Sequence, residues 1–147
     1  MTHVLRKLSV SMLACAMLAA CGPSAQEPVS IEDPWANATP VGASVAAVYL
    51  QLIADEPDTL LAASTTVADH IEMHASREEN GMMTMRPLAT VDLEARKPFS
   101  FAPGGAHFML MGLRQPLVAG MRIPMTLEFQ RAGAITVQVQ IVELGSR

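Results

Sequence analysis

The feature that most constrains this chain is alternation. Across residues 135–141 apolar and polar side chains change places at every step: Ile135, Val137, Val139 and Ile141 on one side, Thr136, Gln138 and Gln140 on the other. A strand sends successive side chains to opposite faces, so this stretch is expected to cover a core with one face and meet water with the other. The same period runs through residues 70–76, where His70, Glu72, His74 and Ser76 share a face that Ile71, Met73 and Ala75 do not. It returns at residues 107–111, with His107, Met109 and Met111 opposed to Phe108 and Leu110. Turn signals such as Pro40-Val41-Gly42, Asn80-Gly81, Pro103-Gly104-Gly105 and Ala132-Gly133-Ala134 punctuate these runs. About seven to nine short strands, a turn every ten residues or so, predict an all-β fold built as an antiparallel sandwich or barrel. Residues 43–49 stay open between strand and helix, because a short Ala-rich apolar run has no decisive period.

The 147 residues suffice for one domain with a sizeable core. Residues 1–20 stand apart from it. Arg6 and Lys7 precede an apolar run over residues 8–20 that is too short to span a bilayer, which is the pattern of an export signal. Its end, Leu18-Ala19-Ala20-Cys21, resembles the lipobox of bacterial lipoproteins, in which the cysteine is lipidated and becomes the new N-terminus. On that reading residues 1–20 are a signal peptide, 21–28 a lipidated tether and 29–147 the folded domain. Cys15 leaves with the leader and Cys21 carries acyl chains, so no thiol remains for a disulfide or a metal. Two chains on Cys21 would hold the protein stably at a membrane, and an exported, periplasm-facing protein is expected. Gly22 follows the cysteine where a retention signal would place aspartate. The formal charge is −4 and becomes more negative once Arg6 and Lys7 are removed, which argues against nucleic acid as a partner.

Sulfur and imidazole are concentrated in one region. All eight methionines beyond the leader lie between Met73 and Met125, and within that span His74, Met85, His107 and Met109 are separated by ten, twenty-one and one residues. Asn80-Gly81 is the strongest hairpin signal in the chain. A four-residue loop would set Met85 directly opposite His74. A two-residue loop makes the pair diagonal on the same face, and a three-residue loop puts the two on opposite faces. His107 and Met109 are expected on a strand distant from this hairpin, so that an ion would bridge two parts of the fold.

Imidazole nitrogens with thioether sulfurs form a borderline-to-soft donor set that suits Cu(I) and binds hard cations poorly. Hydrolytic zinc sites use histidine, carboxylate or thiolate around an open water position. Blue-copper sites need a cysteine thiolate, which the mature chain does not supply. Haem is disfavoured by the missing Cys-x-x-Cys-His sequence and by an aromatic content of 4%. The competing reading is that the methionines fill gaps in the core of a structural or adhesive surface lipoprotein. Met73, Met121 and Met125 fit that role; Met111 fits core or site. His70 is expected at the surface or behind a ligand, and Met83 is the spare donor nearest Met85.

The pattern His-x10-Met-x21-His-x-Met at His74, Met85, His107 and Met109 resembles the signature of the periplasmic copper-chaperone family called PCuAC. Residues 104–113 (GGAHFMLMGL), Met83-Thr84-Met85-Arg86-Pro87 and Trp35-Ala36 also look like that family, so the likeness spans about residues 29–144. The resemblance implies a cupredoxin-like β-sandwich that binds one Cu(I) through those four side chains. It further implies a non-enzymatic carrier that passes copper to an oxidase subunit or another copper-transfer protein; copper storage and electron transfer are the alternatives. Family members often carry arginine where this chain has Asn37, which puts a partner contact there in doubt. Some carry a His- and Met-rich tail. Here the sequence runs out at Gly145-Ser146-Arg147, and one site is expected.

Overall fold

The computed structural model describes residues 27–147; the signal-peptide and lipidation readings at residues 1–20 and Cys21 lie outside them. Ten strands follow one another: β1 (Val29–Asn37), β2 (Val45–Ala54), β3 (Asp58–Thr65), β4 (His70–Glu79), β5 (Met82–Leu88), β6 (Val91–Leu93), β7 (Phe99–Phe101), β8 (Ala106–Met111), β9 (Arg122–Phe129) and β10 (Gly133–Val142). They form one sheet in the order β5-β4-β8-β7-β2-β1-β10-β9-β3-β6, with β8 also paired to β2. The sheet curls until β3 packs against β4, and the enclosed face is the core. The all-β expectation holds, with one difference: the sheet is mixed, because β1 pairs β10 in parallel and β7 meets β8 in parallel. Of residues 43–49, residues 45–49 resolve as strand and 43–44 lead into it. Their period is visible only in context, where Ala46, Val48, Leu50 and Leu52 turn inward and the intervening residues do not.

Alternation accounts for the core. Val139 and Ile141 of β10, Ile123, Met125, Leu127 and Phe129 of β9, and Phe108 and Leu110 of β8 are buried together. Phe108 stacks on Phe101 with ring centroids 4.0 Å apart. Met73 and Met125 are buried and Met121 is partly so, as packing methionines should be. In β1 the register slips between Glu32 and Trp35, where Asp33 takes a positive φ of 45° and Pro34 has no donor to lose. After this bulge Trp35 lies against Tyr49, centroids 4.7 Å apart.

Asp58 is one of two buried polar or charged residues among the described residues, and its role is structural. Its carboxylate accepts the backbone N–H groups of Thr59 (2.7 Å), Arg131 (2.9 Å) and Ala132 (2.8 Å), tying the β9–β10 turn to β3. Burial pushes this carboxyl up, but the amides of Ala132, Arg131 and Thr59 and the Arg131 guanidinium outweigh it and hold it below its ordinary 3.8. A depressed folded pKa contributes stability that is present above the unfolded value and lost as pH falls through the folded one. Asp58→Ala should therefore cost about 1–3 kcal/mol at neutral pH by stranding the amides. Urea melts at pH 7 and in strong acid would check this, and the difference from wild type should shrink in acid.

Candidate metal centre

The site is built on three neighbouring strands at one edge of the sheet, β5, β4 and β8. Asn80 and Gly81 both take positive φ, 55° and 78°, as a two-residue hairpin loop with the twist of its strands requires. Glu79 therefore pairs with Met82, and His74 faces Pro87 while Met85 faces Ser76. Met85 and His74 are thus diagonal neighbours on one face, the second of the three registers. On the other side of β4, His74 pairs directly with His107, and Glu72 with Met109. The expectation of a distant second strand is corrected here: β8 is hydrogen-bonded to β4, so no remote parts need bridging. The correction has a topological cause, since β4 and β8 are separated by three strands in sequence and strand order is not encoded locally.

All four residues lie on the face turned away from the core. Phe108 and Leu110 alternate with His107 and Met109 and are buried beneath them. Exposure rises along the set: His107 is 5% exposed, the His74 side chain 17% and Met85 61%. The imidazole end is closed and the thioether end on β5 is open. Met83 shares the face of Met85 and is also exposed. Met111 lies at the far end of the face opposite His70. Behind the hairpin Arg86 holds Glu79 through two hydrogen bonds of 3.1 and 2.8 Å, an exposed strut.

One nitrogen of His107 is hydrogen-bonded, and one nitrogen of His74 lies within ion-pair distance of a carboxylate. His107 Nδ1 lies 3.2 Å from the Gly105 carbonyl, which also accepts the Ser76 N–H at 3.0 Å. A carbonyl only accepts, so Nδ1 carries the proton and Nε2 keeps its lone pair. His74 Nε2 lies 3.0 Å from Glu72 Oε2, and its Nδ1 is buried with no hydrogen-bond partner. The two rings meet edge to face, centroids 5.8 Å apart. The unpartnered His74 Nδ1 and the His107 imidazole, on a face shared with the Met85 and Met109 thioethers, are of the donor types that fit a soft cation. Alternation had placed Glu72 on this face, but its contact with His74 and the Gly105 carbonyl were not singled out from sequence. Asn37 stands away from these strands at the end of β1, its Oδ1 buried without a partner.

A family model for LpqE-like lipoproteins ("Putative lipoprotein LpqE-like") matches residues 29–141, nearly the whole described domain. The chain belongs to the LpqE-like family. It is 27% identical over 154 residues to "Putative lipoprotein Lxx21020" of Leifsonia xyli subsp. xyli, covering 96% of this chain and 93% of that one. Among solved structures, the fold of this LpqE-like chain is similar to the copper-bound PCuAC domain from PmoF2, with TM-score 0.67 and 24% identity over 79% of this chain and 93% of that one. It is also similar to the CuI-DR1885 solution structure from Deinococcus radiodurans, with TM-score 0.60 and 28% identity over 86% and 87% of the two chains. The fold of this LpqE-like chain is thus the cupredoxin-like fold of PCuAC domains.

Proposed function

We propose that this LpqE-like protein is a copper carrier that holds one Cu(I) on His74, Met85, His107 and Met109 and hands it to a copper-accepting oxidase subunit or another copper-transfer protein. The observation that carries this reading is the convergence of the four side chains on one outward sheet face with the His74 Nδ1 buried and unpartnered. The likeness to the copper-bound PCuAC domain from PmoF2 and to CuI-DR1885 supports it. The core-filling reading accounts for Met73 and Met125. It does not account for Met85, which is exposed, or for Met109, which points away from Phe108 and Leu110.

The exposure gradient supports transfer rather than storage. Imidazoles hold the closed end, while an acceptor reaches the ion from the Met85 side and replaces thioethers that have no charge to give up. No bond in a substrate changes, so the role is transport rather than catalysis. The lipobox-like sequence ending at Cys21, with the lipoprotein family match, supports a carrier outside the cytoplasm on a membrane anchor. In copper-limited cells lacking the protein, copper-oxidase activity should fall and return when copper is added. Unchanged oxidase activity in those cells contradicts delivery.

A further inference from the structure

We propose that the outward face carries a second, weaker site for Cu(I), formed by His70 and Met111 with the Glu72 carboxylate beside them. It rests on the copper reading above and adds a place where a further ion is held. Strands β4 and β8 pair so that three rungs cross this face: His74 with His107, Glu72 with Met109 and His70 with Met111. The first rung holds the two enclosed imidazoles. The last sets an imidazole directly across from a thioether at the other end of the same face. Side chains paired in this way start about 4.5–5.5 Å apart at Cβ, so a ring nitrogen and a sulfur can reach one ion between them.

Both side chains are within reach of solvent. The His70 side chain is 59% exposed. Met111 follows the buried Leu110 on β8, so it points outward, half-buried between His70 on β4 and the exposed Val45 on β2. Glu72 Oε1 lies 3.2 Å from His70 Nε2 in a hydrogen bond, which steadies the ring over this face and puts a carboxylate next to the pair. Among the described residues no three histidine, cysteine, aspartate or glutamate side chains are grouped so as to hold a metal. A second ion here therefore depends on the Met111 sulfur, and a thioether with an imidazole selects a soft ion over a hard one. Two donors, with a carboxylate shared between His70 and His74, hold that ion less firmly than four. The second site fills after the enclosed one and yields its ion to a strong chelator.

The test titrates the metal-free protein, its methionine methyls isotope-labelled, with Cu(I) supplied as the acetonitrile complex without oxygen, and follows the methyls by NMR. Up to one equivalent the Met85 and Met109 methyls should shift. Beyond it the Met111 methyl should shift while Met82 and Met83 stay in place. His70→Ala and Met111→Leu each change an outward side chain, and each should abolish the second step and keep the first. A single step in the wild type overturns the second site, as does a second step that moves Met83 in place of Met111 or survives in the variant carrying both substitutions. Absence of any methionine shift in the wild type overturns the copper reading instead. The two failures are distinct, because loss of the second site alone leaves the first equivalent intact.

Discussion

His107→Ala should weaken Cu(I) binding by about 100-fold or more, beyond the 10–100-fold expected from disturbing a ligand's outer partner alone, and leave a folded domain. His107 is the most enclosed of the four proposed donors, 5% exposed and held by the Gly105 carbonyl. No exposed side chain on β8 stands ready to replace it. The carbonyl it leaves keeps the Ser76 N–H, so little is stranded. Met85→Ala should give a smaller loss, because Met83 lies on the same face of β5. Chelator competition reads the affinity and thermal unfolding reads the fold. Metal-free His107→Ala that no longer folds would make the site structural.

One residue along, the outcome reverses. Phe108→Ala should cost about 3–5 kcal/mol, a large part of the 5–15 kcal/mol that holds a domain of this kind together. Phe108 is fully buried, stacks on Phe101 at 4.0 Å and packs with Leu110 inside the curled sheet. Urea unfolding of the metal-free protein would measure the loss. A change under about 1 kcal/mol would mean that the inner face of β8 is not the core support of the site. Together the two substitutions separate the functions of two sides of a single strand.

That separation was legible in the sequence, because a strand's period is local. Alternation placed His74, His107 and Met109 on faces opposite Met73, Phe108 and Leu110 before any pairing was known. Asn80-Gly81 marked the hairpin, and the register followed only once both residues were seen at positive φ. What alternation does not encode is which strands become neighbours. β8 lies beside β4, and β1 beside β10, through pairings of high sequence separation. The strand state of residues 45–49 likewise comes from β1 and β8 on either side. The Gly105 carbonyl was invisible for a related reason, since its two hydrogen bonds depend on how the β7–β8 turn meets β4.

The most direct measurement is the copper content of the soluble domain, residues 22–147, purified under reducing conditions and challenged with Zn(II) and a Cu(I) chelator. One Cu(I) per chain is expected, not displaced by Zn(II), and lost when Met85 and Met109 are both changed to alanine. Zinc bound as tightly as copper, and still bound in that double variant, would contradict it.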